Sequence, residues 1–248
     1  MNADTSVAVV TGSAHGLGEV IVRHLHSQGH AVAVVDIDGA AAHEVAISLD
    51  PEGTTARSYA IDVTDRGALD GLLGAVVEEL GDVRILVNNA ARTQARPVME
   101  ITADELESVL NVNFGGMFQA SQVFGAHMAA NGYGRIVNLG SLAAQNGGTA
   151  TGGHYASSKG AILSATKVFA RELAGKGVTV NAVSPGPLDS PMVRSLVGDD
   201  LESYLRVVPV GRLGDMGFIA QMISLLASPG AASVTGACWD ANGGIYLR

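Results

Sequence analysis

At 248 residues the chain can form one large α/β domain or two small ones, and its net charge of −9 excludes a nucleic-acid groove, which needs a basic patch. A hydrophobic fraction of 47% against 16% charged residues describes an ordinary globular core, and the 32 glycines gather at turns without repeating, which excludes collagen and linker sequence. The single cysteine, Cys238, excludes an internal disulfide. With no signal-peptide pattern at residues 1–6 and no apolar run near the roughly 18 residues that cross a bilayer, a soluble cytoplasmic protein without membrane contact is expected.

Short β-branched runs alternate with helical patterns along the whole chain. Residues 7–11 read as a strand, 17–28 as a helix and 31–36 as a second strand, with Gly29 placed to close the helix in the left-handed region. Further strands are expected at 56–61, 84–87, 135–139 and 179–183, with helices at 66–80, 103–131 and 155–174. A last helix at 215–227 precedes a strand at 237–240. Thr102-Ala-Asp-Glu105 has capping-box spacing at the start of its helix. Several strands are continuous apolar runs, which suits a parallel sheet covered on both faces. The expectation is one doubly wound Rossmann-type α/β domain over 1–248, with about seven parallel strands and helices on both faces. Residues 188–212, the longest aperiodic stretch, are a candidate substrate lid.

The turn Thr11-Gly-Ser-Ala-His-Gly-Leu-Gly18 joins the first strand to the first helix. Glycines there let the backbone approach a pyrophosphate while helix N–H groups face the anion. The candidate cradle is Gly12, Ser13, His15, Gly16, Leu17 and Gly18. A protonated His15 can contact a phosphate; an exposed loop residue is the plainer reading. Asp36 ends the second strand, beside Ile37. A carboxylate there accepts from ribose hydroxyls and repels a 2′-phosphate, so NAD is expected over NADP.

These features, with Asp62-Val63, Asn88-Asn-Ala-Ala91, Asn113, Ser141, Tyr155-Ala-Ser-Ser-Lys159 and Asn181-Ala-Val-Ser-Pro-Gly186, make the whole chain resemble the short-chain dehydrogenase/reductase family. The resemblance implies that Asp62 and Val63 border the adenine and that Asn89 and Ala90 lie against its ribose. It places Pro185, Gly186 and Leu188 at the nicotinamide, Ser190 at the carboxamide, and a water held by Asn113 behind Lys159. A homotetramer is implied too, paired through helices rich in small residues. Departures from the family pattern are Ala91 in place of a glycine, a lengthened glycine-rich interval from Ser141 to Tyr155, Pro187 after Gly186, and the ending Asp-Ala-Asn-Gly-Gly244.

Tyr155 and Lys159, four apart near a helix start, share a face, and Ser141 follows a strand at the ligand-binding edge. Tyr155 is the candidate general acid/base. Bringing a phenol from about 10 to about 7 takes roughly 4 kcal/mol, on the order of what one ammonium supplies at about 4 Å and an effective dielectric near 20. Lys159 is assigned that task and the cofactor ribose. Ser141 donates to the substrate oxygen. His154 and Met192 are candidate substrate contacts, a solvent-facing loop being the alternative for His154. The seven histidines show no metal-ligand spacing, and no metal is expected. The leading function is NAD-dependent interconversion of a small secondary alcohol and a ketone. A 3-oxoacyl thioester reductase is the alternative within the class, and an NAD-binding regulatory module the alternative outside it.

Overall fold

Aliphatic and β-branched runs build seven strands in this computed structural model, which describes residues 6–148, 151–190 and 201–247: β1 Val7–Thr11, β2 Ala31–Asp36, β3 Ala56–Ala60, β4 Val83–Asn88, β5 Gly134–Leu139, β6 Val178–Pro185 and β7 Cys238–Ala241. They form one parallel sheet in the order β3-β2-β1-β4-β5-β6-β7. Every crossover therefore carries a helix or long connection over a face, and the period-2 alternation of side chains feeds two cores. Val7 and Val9 point into one, with α3 (Arg66–Glu79), α5 (Met117–Ala130) and α7 (Gly153–Leu173). Ala8 and Val10 point into the other, with α1 (Gly16–Ser27), α2 (Gly39–Leu49) and α9 (Met216–Ala227). The doubly wound architecture is as expected from the sequence.

Register places the motif-bearing ends together. Thr11 pairs with Val35 on one side and Asn88 on the other, Asn88 pairs with Asn138, and Leu139 with Val183. The glycine turn, the Asn-Asn-Ala-Ala segment, Ser141 and Pro185 thus all leave the same carboxyl edge of the sheet.

Three elements differ from the expectation. Helix α2 occupies a stretch for which no element was expected; Asp38 Oδ1 accepts from the Ala41 N–H and caps the alanine-rich run that follows. The expected helix at 103–131 is interrupted. Its first part, α4 (Ala103–Leu110), has the full Thr102–Glu105 capping box, then Asn111–Gly116 widens into a π turn before α5 begins. The glycine at 116 allows that turn to sit on Val63, whose Cγ2 would lie 2.6 Å from an added Cβ. In the expected lid, Leu188 pairs with Gly214 and Leu201–Leu205 forms the short helix α8, while α6 (Ala143–Asn146) occupies the interval after Ser141. Among the described residues no helix is long and apolar enough to cross a membrane.

Candidate cofactor cleft and catalytic cluster

Strand order reverses between β1 and β4, the place where open α/β sheets take ligands. A cleft of about 790 Å³ opens there. The turn contributes Gly12, His15, Gly16, Leu17 and Gly18; β2 contributes Asp36 with the following Ile37; Asp62 and Val63 follow β3, and Asn89 and Ala90 follow β4. The glycines act differently. At Gly12, φ +65°, a Cβ would stand 2.6 Å from Ala90 Cα, and at Gly18 it would overlap the Gly12 carbonyl oxygen. At Gly16, φ +56°, the space beside Cα is open, at the start of a helix whose N-cap His15 makes no side-chain capping bond. Open room beside uncapped N–H groups fits a pyrophosphate. Gly18→Ala is expected to lower stability in urea by about 1–3 kcal/mol, since backbone must move to admit the methyl; an unchanged midpoint would show the turn to be slack.

Polar bonds hold the cradle. Asn89 Nδ2 donates to the carbonyls of Thr11 (3.1 Å) and Gly12 (2.7 Å), and Thr11 Oγ1 accepts from the N–H groups of Asn89 and Ala90. Ser13 is wholly buried; its hydroxyl donates to Val10 O and accepts from Val35 N–H, so it ties β1 to β2 instead of facing a ligand. Asp36 accepts the Ala14 N–H on Oδ2 (3.0 Å) and the Asp38 N–H on Oδ1 (3.1 Å), leaving each oxygen further acceptor capacity. Asp62 Oδ1 accepts from the N–H and hydroxyl of Thr64. His15 is exposed, with Nε2 3.6 Å from Asp38 Oδ2.

Beyond β5, Gly140 N–H donates to Val183 O and Leu142 N–H to Pro185 O, which pins Ser141 between β5 and β6. Ser141 Oγ accepts from the Ala143 N–H at 3.1 Å and faces the Tyr155 hydroxyl. One helical turn on, the buried Lys159 donates from Nζ to Leu139 O at 2.7 Å and lies 5.7 Å from the centre of the Tyr155 ring. Burial alone brings Lys159 down to about 8. Burial pushes the Tyr155 hydroxyl up, and the neighbouring Ser141 hydroxyl draws it partly back. The ammonium here serves a carbonyl, so the lowering of Tyr155 expected from it is not expressed in this arrangement. Asn113 sits in the π turn. Its Oδ1 accepts from Arg92 N–H (2.7 Å), and its Nδ2 donates to Arg92 O (3.0 Å) and to Ser158 Oγ (2.9 Å), which in turn donates to Tyr155 O. Both N–H bonds of that amide go to protein partners.

Similarity to known proteins spans this whole arrangement. The family described as enoyl-(acyl carrier protein) reductase matches residues 12–246. Over the full length of both chains, this chain is 35% identical to the 3-oxoacyl-(acyl-carrier-protein) reductase FabG of Vibrio cholerae, 36% to that of Vibrio harveyi and 33% to that of Escherichia coli K12. The chain belongs to the short-chain dehydrogenase/reductase family. Members are oxidoreductases built on a Rossmann-type sheet.

In this dehydrogenase/reductase the residues assigned to the nicotinamide side lie past the end of β6. Pro185 closes the strand, Gly186 N–H donates to Ala241 O, and a Cβ on Gly186 would stand 2.7 Å from Asn242 Cα. Leu188 is held by its bridge to Gly214, and Ser190 is the last described residue before 191. Met192 lies outside the described residues. His154 is 2% exposed in the first turn of α7, and neither ring nitrogen has a hydrogen-bond partner among the described residues; burial overturns the solvent-facing alternative. Cys238 is partly buried, with Sγ 3.1 Å from Ser184 Oγ. Sequence reasoning passed over Arg92, Ser108, Asn111 and Val112, which also line the cleft. The signal for Arg92 was its place directly after Asn-Asn-Ala-Ala; the other three become neighbours only through the turn from α4 into the π segment.

Proposed function

We propose that this enzyme interconverts the ketone and secondary alcohol at C3 of an acyl thioester, with NAD(H) as cofactor. The observation carrying the reaction class is the grouping of Ser141, Tyr155 and buried Lys159 at the carboxyl edge of the sheet, the edge from which the dinucleotide cleft also opens. Full-length similarity to reductases named for 3-oxoacyl thioesters supports the substrate class. Asp36 supports NAD(H), because its carboxylate lies where a 2′-phosphate would add like charge.

The balanced reduction is ketone plus NADH plus a proton giving alcohol plus NAD⁺. Bound NADH supplies the hydride to the carbonyl carbon. Tyr155 passes its proton to the carbonyl oxygen, and a phenol held protonated by burial suits that acid role. Ser141 donates to the same oxygen and stabilises charge developing there. Lys159, at about 8, is cationic at neutral pH, and its ammonium would turn from Leu139 O toward Tyr155 to stabilise the phenolate that remains.

A second reading, oxidation of a small uncharged secondary alcohol, is favoured by the net charge of −9, since a phosphopantetheine arm carries a phosphate. One assay separates the readings: acetoacetyl-coenzyme A and a panel of simple ketones, cyclic diols and hydroxysteroids, each with NAD(H) and NADP(H), followed by nicotinamide absorbance. The thioester is expected to lead the panel in kcat/KM by about tenfold or more, with NADH preferred. A preference for NADPH would sink the reading of Asp36, and turnover of simple alcohols alone would sink the thioester. Dinucleotide binding without turnover of anything would favour a regulatory module.

A further inference from the structure

The cleft that accepts an anionic dinucleotide is lined by two carboxylates, Asp36 and Asp62, and among its described lining residues Arg92 is the one lysine or arginine. Arg92 is held in an unusual way. Its backbone N–H and C=O are both bound by the single side-chain amide of Asn113 (2.7 and 3.0 Å), which fixes the Cα while leaving the side chain to move. The exposed guanidinium donates from Nη1 to Ser108 Oγ at 2.9 Å, a neutral partner on α4, and no carboxylate among the described residues pairs with it.

Distance along the chain sets what it reaches. Ala90 packs directly on Gly12, and two residues span at most about 7 Å. The guanidinium therefore swings from a pivot beside the phosphate cradle. A planar fork of N–H donors matches phosphate oxygens, and a charge-assisted bond to an anion displaces one to a neutral hydroxyl.

We infer that Arg92 is a cofactor-binding residue whose guanidinium leaves Ser108 and pairs the pyrophosphate seated at the glycine turn. This rests on the reading of the chain as an NAD(H) enzyme. Asn113 then has a second task. Through Arg92 it positions the phosphate grip, and through Ser158 it holds the first turn of the helix that carries Tyr155. The acidic walls of the cleft are offset by one mobile cation, so discrimination against a 2′-phosphate by Asp36 coexists with affinity for the phosphates common to both coenzymes.

Direct binding tests it. NADH fluorescence titration and calorimetry with ADP-ribose, adenosine and NADPH are run on the wild type, Arg92→Ala and Arg92→Lys. Arg92→Ala is expected to weaken NADH and ADP-ribose about tenfold, to leave adenosine unchanged, and to retain the wild-type melting temperature. Arg92→Lys is expected to fall between, and the tenfold gap to shrink as salt rises. Equal affinities in all three proteins overturn the assignment. So does a loss shared by adenosine, which marks stacking on the base, or a loss confined to NADPH, which marks a 2′-phosphate contact. A wild type that binds no NADH overturns the cofactor reading itself, and this assignment with it.

Discussion

Tyr155→Phe is expected to lower kcat by about a thousandfold or more while leaving NADH affinity within about threefold. General acid catalysis contributes on the order of 10²–10⁴ in rate, and loss of the phenol removes the only donor assigned to move the proton. The ring itself lies beside Lys159 and is not among the residues lining the cleft proposed for the dinucleotide. Phenylalanine keeps its volume, so stability should hold within about 1.5 kcal/mol. Single-turnover kinetics with NADH and the best substrate of the panel separate the two quantities. Near-normal turnover in the variant would remove Tyr155 from the mechanism, whereas a parallel collapse of NADH binding would make its role structural.

Lys159→Met should abolish turnover and change the pH dependence of stability. Lys159 stands at about 8 in the fold and near 10.4 in an unfolded chain. The native state therefore binds this proton less tightly than the unfolded state does. The burden is fully present below about pH 8, where it amounts to about 3 kcal/mol, and is lifted as pH rises toward 10. Wild type should gain about 2 kcal/mol on the variant between pH 7 and pH 9.5 in urea titrations. At pH 7 the variant's net advantage is smaller than the full burden, because methionine leaves Leu139 O without its donor at a cost of about 1–3 kcal/mol. A pH-independent difference between the two proteins would show that Lys159 titrates as an exposed lysine does. A buried, destabilising cation in the role proposed for Lys159 is the kind of trade that active sites make against stability.

How far the sequence carried these conclusions differs from element to element. The strands were legible because their apolar runs are continuous, and the glycine turn because few other residues reach φ +65° and +56° at Gly12 and Gly16. Ser141, Tyr155 and Lys159 could be named as a group because their order and spacing resemble the short-chain dehydrogenase/reductase pattern, which strand-end and helix-start positions then supported. Helix α2 was not, since Gly39-Ala-Ala-Ala offers little apolar contrast and the Asp38 cap looks like part of a turn. Periodicity continues through residues 111–116, so it gave no hint of the widened π turn, which tertiary contact with Val63 makes possible. The target of Lys159 was also hidden. Spacing puts its ammonium near Tyr155, but only the fold shows that Leu139 O receives it. The enclosure of His154 was hidden in the same way: it has no hydrogen-bond partner among the described residues, and local sequence does not show it.

The π turn at Asn111–Gly116 also bears on how this enzyme can be altered. Such a turn holds an extra residue relative to an α-helical one, so the stripe that α4 shows the cleft and the stripe that α5 buries under the sheet are out of phase. Ser108 and Asn111 can then vary with the ligand while Phe124 and Met128 stay matched to the core. Removing one residue from the turn would merge the segments into a single helix and rotate one stripe by about 100° against the other. Asn113 would lose either Arg92 or Ser158. The turn thus works as a phase boundary, separating a surface open to evolutionary or engineered change from one that is not.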